Sequence, residues 1–286
     1  MKPDGRFLRQ PKSFWANVRT LSQHLRYVVR GTEQIKVPTI EEMREALTEL
    51  ELNPDAVGTV EKPSKMGTTL RDYFGYRAEV LEKHVEPNLM EAKEAKKRFE
   101  ALKKKLKPSC PLPMNKQKGK KKAPAFLTGM VNMLISENAQ GMECDYDPRE
   151  LTTVTLNGAP LRTLARRVDG AFPSAVNPIA VWEIKEYYYT TTFGSRVADG
   201  VYETLVDGME LEELRKQEGI DVKHYLMIDA RYTWWECGRS YLCRIVDMLH
   251  MGYVDEVLVG KEVADRLPTL VGEWVKLAKA RGPGKP

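Results

Sequence analysis

Apolar positions at helical spacing dominate the first hundred residues. Residues 12–30 carry a repeating apolar face that predicts an amphipathic helix. That face consists of Phe14, Val18, Leu21 and Leu25. The arginines on the other faces are Arg19, Arg26 and Arg30. The segment therefore predicts a basic helix with one side available to a core.

Two further helical segments follow. Thr39 and Glu42 form a capping-box pattern ahead of an apolar repeat, which predicts that a second helix begins at residue 39. A third helix is predicted from about residue 68 to residue 85, and Pro87 interrupts or restarts it before the Glu-, Lys- and Ala-rich residues 88–106. We therefore expect residues 1–106 to form a helical domain.

Residues 107–123 have three prolines, one glycine and no clear periodicity, which predicts a linker or exposed loop. Residues 101–123 contain nine lysines and no acid. A solvated surface run is one interpretation. Contact with nucleic-acid phosphates is the other, because clustered lysines release counterions from any phosphate backbone.

After residue 123 the pattern changes to alternating helices and strands, which predicts a second domain over 124–286. The predicted order is a helix, three strands, a helix, a strand, a helix and a strand. The segments are 124–138, 151–157, 162–172, 178–189, 200–217, 222–230, 238–251 and 256–260. This order, which begins with the succession αβββαβ, predicts an α/β (α+β) fold in which helices flank a mixed sheet.

Charge divides the chain in the same place. The net charge of the 286 residues is +5, but residues 1–123 carry +11 and residues 124–286 carry −6. With 42% apolar and 30% charged residues, the chain is neither disordered nor a disulfide scaffold. The basic part suggests a polyanionic partner, with nucleic acid the first candidate.

Several classes of protein are disfavoured. The chain has no continuous apolar segment as long as that of a signal peptide or a membrane-spanning helix. Its four cysteines form no C-x-x-C pair. We therefore expect a cytoplasmic protein with no membrane partner. Glycine-rich phosphate loops and H-E-x-x-H are absent, so no nucleotide cofactor is expected, and the four scattered histidines predict no ligand cluster.

One group of carboxylates remains a candidate for chemistry. Asp169 lies near the end of one predicted strand, and Glu183 and Lys185 lie in the next. Residues i and i+2 of a strand share a face, so Glu183 and Lys185 project together. Asp169 joins them if the two strands pair, which the Pro- and Asn-containing turn at 173–178 allows.

Other acid-x-Lys triplets in the chain do not pass this test. Glu91 and Glu94 begin triplets in a predicted helix, where residues i and i+2 diverge. Asp221 also begins one, but the acid fourteen residues before it, Asp207, is separated from it by a predicted helix.

Residues 124–260 resemble the PD-(D/E)xK nuclease superfamily, which has the restriction-endonuclease-like fold. The resemblance rests on Asp169, on Glu183 with Lys185, and on the αβββαβ order around them. Val168 stands where the family pattern has proline. The resemblance covers about half the chain, and the basic helical region matches no family that we identify.

The resemblance implies a Mg²⁺ site and phosphodiester hydrolysis. Asp169, Glu183 and the carbonyl of Ile184 would hold the metal, and Glu137 on the preceding helix is a positional candidate for a further ligand. Lys185 would orient or deprotonate the attacking water, or stabilise the transition state. The alternatives are an exposed cross-strand ion pair for Glu183 and Lys185, and an ordinary surface acid for Glu137.

Candidate DNA contacts are the basic, aromatic and hydroxyl side chains of the helical region, the lysine run and two loops after strands. They are Arg19, Arg26, Arg30, Lys118, Lys120, Lys121, Lys122, Tyr187, Tyr189, Thr191, Arg196, Arg231 and Arg239. The strand preference of Tyr and Thr explains part of this pattern equally well. Trp234 and Trp235, beside the last two arginines, are either buried or available to stack on bases.

Taken together, the sequence predicts a Mg²⁺-dependent type II restriction endonuclease that cleaves double-stranded DNA at a specific sequence. Cleavage of both strands at a palindromic site predicts a homodimer. The alternatives are a repair or Holliday-junction nuclease, and a non-catalytic nucleic-acid-binding protein with the same fold.

Overall fold

A four-stranded mixed sheet forms the centre of the protein, and the computed structural model describes residues 1–8, 10–32, 34–117, 120–189 and 194–281. Two separate two-stranded hairpins lie outside this sheet. The predicted combination of helices with a mixed sheet is confirmed.

The first part of the chain is helical, as predicted. Its helices are α1 (Lys12–Leu25), α2 (Ile40–Glu49), α3 (Lys65–Val80), the single turn α4 (Glu86–Asn88) and α5 (Ala92–Leu106). A π-helical turn, Leu81–Val85, joins α3 to α4. The predicted capping box is confirmed, since Thr39 Oγ1 accepts from the Glu42 N–H and Glu42 accepts from the Thr39 N–H.

Strands and helices alternate in the second part. Its strands are β1 (Met114–Gln117), β2 (Lys120–Pro124), β3 (Thr153–Leu156), β4 (Ala159–Thr163), β5 (Gly170–Phe172), β6 (Ala180–Glu186), β7 (Lys223–Asp229) and β8 (Glu256–Val259). Its helices are α6 (Phe126–Asn138), α7 (Ser195–Glu218), α8 (Arg239–His250) and α9 (Glu262–Arg281).

The main sheet has the order β5-β6-β7-β8, in which β5 is antiparallel to β6 and the other neighbours are parallel. The pleat of β6 directs Trp182 and Ile184 into the core that contains α5, α6 and α9. Glu183 and Lys185 point to the opposite face, where α7 carries their partner Glu203. Each face of β6 therefore has a different neighbour.

Some boundaries differ from the sequence-based predictions. The first helix ends at Leu25 rather than near residue 30, because Arg26 adopts a left-handed φ of 71°. The predicted strand 162–172 is two strands, the end of β4 and β5, separated by an irregular segment. The last helix, α9, was not predicted.

The segment 107–123, predicted to be an irregular linker, contains most of the antiparallel β1–β2 hairpin. Phe99 of α5 packs in the same core as α6 and β6, so this core begins upstream of the predicted boundary at residue 106. Backbone pairing between the two short strands organises a region in which side-chain periodicity is too weak to predict strands.

A buried ion pair ties the helical region to the sheet-containing region. Arg77 of α3 lies 3.1 Å from an oxygen of Asp247 of α8, and the Tyr73 hydroxyl donates to the same carboxylate at 2.6 Å. Arg77 and Asp247 are 1% and 4% exposed. The two regions therefore share a desolvated ion pair. Removing either partner would leave the other charge buried and uncompensated, which is strongly destabilising.

No helix in the described part of the chain is long and apolar enough to cross a bilayer.

We predict that Asp247→Asn lowers the free energy of unfolding by about 3–5 kcal/mol, because it leaves the buried Arg77 guanidinium without its counter-charge. Urea unfolding followed by circular dichroism measures this change. Asp72→Asn is the matched control, since its partner Arg71 is at 3.5 Å and both side chains are half exposed; it should cost at most about 1 kcal/mol. Equal costs for the two variants would contradict the prediction.

Candidate active site

The β5–β6 pairing brings Asp169 next to Glu183. Gly170 pairs with Trp182, and the Asp169 N–H donates to the Trp182 carbonyl at 3.1 Å. A Cβ atom at Gly170 would lie 2.2 Å from the Trp182 ring, so only glycine permits this close packing. The close packing of Gly170 on Trp182 thus fixes the position of the neighbouring Asp169 carboxylate.

Three predicted residues converge on the α7 side of the sheet. Lys185 Nζ lies 2.6 Å from Glu183 Oε2 and 3.8 Å from Asp169 Oδ2. The Ile184 N–H donates to Asp169 Oδ2 at 2.7 Å. Since the N–H and C=O of one strand residue point to the same side, the Ile184 carbonyl also faces the Asp169 side of β6. The geometry on which the sequence prediction depended is therefore present.

Helix α7 covers this cluster closely. A Cβ atom at Gly200 would lie 2.8 Å from the Tyr187 hydroxyl and 3.0 Å from Lys185 Cδ, so the missing side chain lets α7 approach β6. One turn later, Glu203 accepts from Lys185 Nζ at 3.1 Å. The helix therefore supplies a third carboxylate to Lys185.

Arg166, in the irregular segment before β5, connects the remaining charges. Its guanidinium lies 2.9 Å from Glu183, 2.6 Å from Asp207 and 3.3 Å from Glu203. Arg166, Glu203 and Asp207 were not predicted from the sequence as site residues. The i, i+4 spacing of the two acids on α7 was a usable signal, but Arg166 lies in a segment without any periodicity.

The cluster has more acids than bases. Its carboxylates are Asp169, Glu183, Glu203 and Asp207, and its cations are Arg166 and Lys185. The partners lie on β6, α7 and the segment before β5, so the excess negative charge is concentrated where three parts of the fold meet.

This excess charge affects the carboxyl groups unequally. Burial, reinforced by the charge of Glu183, raises the pKa of Asp169 to about 6 and that of Asp207 to about 7. Burial also opposes ionisation of Glu183, but Lys185 and Arg166 outweigh it and hold its pKa below the ordinary value. Of these three carboxyl groups, Glu183 is the one most readily ionised, because Asp169 and Asp207 have less positive charge near them to offset burial.

The cluster supplies carboxylate oxygens, the ligand type that a hard divalent cation prefers. Asp207 is fully buried, and its Oδ1 atom has no hydrogen-bond partner among the described residues. Asp169 is 42% exposed and opens the cluster to solvent. The described residues contain no group of three or more His, Cys, Asp or Glu side chains arranged to hold a metal. Mg²⁺ needs only one or two protein carboxylates when substrate phosphates and water complete its shell.

Glu137 does not join the cluster. It is exposed near the end of α6, which packs against the Trp182 and Ile184 face of the sheet. The positional prediction is corrected because the sheet separates α6 from the face that carries Glu183. The fourth carboxylate of the cluster comes from α7 instead.

Most predicted DNA-contact residues that the structure describes lie at the surface. Exposed arginines are Arg19 on α1, Arg26 and Arg30 after it, and Arg196 at the start of α7. Tyr189 is 38% exposed. Tyr187 is half-buried beside Lys185 and donates to the Arg196 carbonyl at 3.1 Å, so this side chain connects the carboxylate cluster to the backbone at the start of α7.

Two predicted contacts, Arg231 and Arg239, are engaged by other side chains of the protein. Arg231 forms a 2.6 Å ion pair with Glu86. Arg239 is 8% exposed, and its guanidinium lies 5.0 Å from the centroid of a Trp235 ring. Both Trp234 and Trp235 are buried, which decides between the two alternatives for them. Arg239 is thus corrected from a surface contact to a packed side chain.

The lysine run is described only in part. Lys120, Lys121 and Lys122 lie on β2. Lys118 and Thr191 lie outside the described residues.

Two family models match the chain, and both describe domains of unknown function. The model DUF7690 matches residues 1–84, and the model DUF7687 matches residues 90–274, which include the whole carboxylate cluster. No curated protein and no solved structure matches the chain. The break between the two models falls in the turns that follow α3.

We predict that Mg²⁺ raises the thermal unfolding midpoint of the wild-type protein, because a cation that binds only the folded cluster relieves its excess negative charge. At a concentration 100 times the dissociation constant, the gain is about 2.7 kcal/mol. Differential scanning calorimetry with and without MgCl₂ measures it. Asp169→Asn and Glu183→Gln should abolish most of the shift.

Glu137→Gln is the matched control and should keep the full shift, since this acid lies on the other side of the sheet. An equal shift in Asp169→Asn and in the wild type would show that Mg²⁺ binds elsewhere.

Proposed function

We propose that this chain, which belongs to the family of the domain of unknown function DUF7687, is a divalent-metal-dependent endonuclease that hydrolyses phosphodiester bonds in double-stranded DNA. The observation that carries the proposal is the convergence of Asp169, Glu183 and Lys185 on one strand pair, with Lys185 Nζ 2.6 Å and 3.8 Å from the two carboxylates. These residue types suit hydrolysis of a charged diester, where positioning and charge stabilisation supply most of the catalysis.

Asp169, Glu183 and the Ile184 carbonyl would hold Mg²⁺. When bound, the ion would lower the pKa of a coordinated water and neutralise charge on the phosphate. Glu183 has both oxygens engaged by Arg166 and Lys185. Binding of the ion therefore requires at least one of these ion pairs to loosen.

Lys185 acts as a cation in this proposal. Burial alone would lower its pKa, but the negative charges of Glu183 and Asp169 outweigh burial and raise the pKa above the ordinary value of lysine. A protonated ammonium cannot accept a proton from water. Of the roles that the resemblance allows, orientation of the water and electrostatic stabilisation of the transition state are therefore favoured over general base catalysis.

Further expectations about the fold, the partners and the cellular location accompany this proposal. We infer a restriction-endonuclease-like core from the Asp169-bearing hairpin followed by the parallel strands β6, β7 and β8. Tyr187, beside the cluster, and the exposed Arg196 at the start of α7 are candidates to contact DNA phosphates. Sequence-specific cleavage of both strands would use a homodimer. All four cysteines are free, which suits a cytoplasmic enzyme.

One observation favours a different function. The engagement of both Glu183 oxygens by Arg166 and Lys185 is also what a purely structural ion-pair network would show. A non-catalytic DNA-binding protein of the same fold is therefore the rival, and a nuclease specific for branched DNA is a second alternative.

We predict that the purified protein with Mg²⁺ cuts plasmid DNA into discrete fragments, and that Lys185→Met lowers the cleavage rate about a hundredfold or more while DNA binding persists. Gel analysis of plasmid cleavage gives the rate, and a mobility-shift assay in Ca²⁺ gives the affinity.

Lys223→Met is the matched control, because Lys223 also belongs to an acid-x-Lys triplet and forms ion pairs, but with Asp221 and Asp255 at the other end of the sheet. It should cleave like the wild type. Full cleavage by Lys185→Met would overturn the site assignment. Binding without cleavage in any divalent cation supports the non-catalytic rival, and cleavage confined to four-way junctions supports the repair alternative.

A further inference from the structure

A cavity of about 790 Å³ lies between α1 of the helical region and the α7 and α8 helices of the sheet-containing region. Its volume falls within the range of pockets that bind small organic ligands. None of its lining residues belongs to the carboxylate cluster. The polar and aromatic residues of its lining include Arg19, Gln23, Tyr27, Tyr202, Arg244 and Asp247.

The two arginines give the cavity a positive charge. Within the described residues, Arg19 donates to Met251 Sδ and Arg244 donates to the Tyr27 hydroxyl, and neither forms an ion pair with a carboxylate. Among the described residues that line the cavity, Asp247 is the only acid, and its charge is already compensated by Arg77. The cavity therefore has unbalanced positive charge, which favours an anionic ligand.

Neighbouring aromatic rings orient the Arg244 guanidinium before any ligand binds. Its guanidinium lies 4.9 Å from the ring centroids of both Tyr27 and Tyr241, and its Nε atom donates to the Tyr27 hydroxyl at 3.4 Å. Its two terminal nitrogens form no hydrogen bond within the described residues. A guanidinium fixed by stacking loses little freedom on binding a phosphate, because its donors are already oriented.

The rest of the lining is apolar or aromatic. Val201, Leu205 and Met248 contribute apolar surface, and Tyr202 is 48% exposed. Gln23 is exposed, and its amide has no partner in the described structure. An exposed aromatic ring beside an unpaired amide suits a flat heterocycle, which stacks on the ring and forms hydrogen bonds through its edge.

We propose that this cavity binds a nucleoside phosphate. Arg19 and Arg244 bind the phosphate, Tyr202 stacks on the base, and the apolar wall of α7 and α8 contacts the sugar and base. The sequence predicted no nucleotide cofactor, because glycine-rich phosphate loops are absent. A site built from guanidinium groups and aromatic rings needs no such loop.

The phosphate and base that the cavity binds could belong to a free nucleotide or to the terminal nucleotide of a DNA strand. This inference does not depend on the proposed nuclease activity, since it rests on a different set of side chains.

Isothermal titration calorimetry in EDTA tests the proposal without any contribution from a metal site. The titrants are the four common nucleoside 5′-monophosphates, inorganic phosphate, adenosine, decanoate and a 5′-phosphorylated single-stranded DNA decamer. We expect a monophosphate to bind at least about tenfold more tightly than phosphate or adenosine alone, because both halves of the ligand are contacted. Tighter binding by the decamer identifies a strand end as the ligand, and weaker binding identifies a free nucleotide.

Arg19→Met and Tyr202→Ser should each weaken binding about tenfold, whereas Arg149→Met, which removes an exposed arginine paired with Asp147, should leave it unchanged. Equal thermal midpoints confirm that the variants are folded. No binding of any nucleotide at millimolar concentration, binding that both cavity variants leave unchanged, or binding of decanoate alone would overturn the proposal.

Discussion

The buried charge of Glu183 is the constraint on which the centre of this structure depends. Its side chain is fully buried in the second strand of the sheet, and a carboxylate in that position is costly without compensation. Lys185 on the same strand and Arg166 before β5 supply the positive charge. Gly200 leaves room for Lys185 and lets α7 approach this face closely, whereas Gly170 leaves room for the Trp182 ring where β5 pairs with β6.

The pleat of β6 divides the protein into an apolar side and a charged side. On the apolar side, Trp182 stacks on Trp274 of α9 with ring centroids 5.5 Å apart. On the charged side, α7 contributes Glu203 and Asp207. A single strand therefore anchors the core and carries the candidate chemistry, and helices on one side cannot contribute groups to the other.

Helix α7 links the two candidate sites. Glu203 and Asp207 face the carboxylate cluster, and Val201, Tyr202 and Leu205 line the cavity against α1. This arrangement depends on the docking of the helical region, because α1 forms one wall of the cavity. The Arg77–Asp247 pair holds that region against α8, so the charge pair that joins the regions also shapes the cavity between them.

The sequence by itself determined the local features, since they depend on neighbours in the chain. The Thr39 capping box and the shared face of Glu183 and Lys185 follow from helix and strand periodicity. Only the tertiary structure decided which distant groups meet. It added Arg166 and Asp207 to the cluster and excluded Glu137, because strand pairing and the side of the sheet on which a helix packs are set by long-range contacts that no local period encodes.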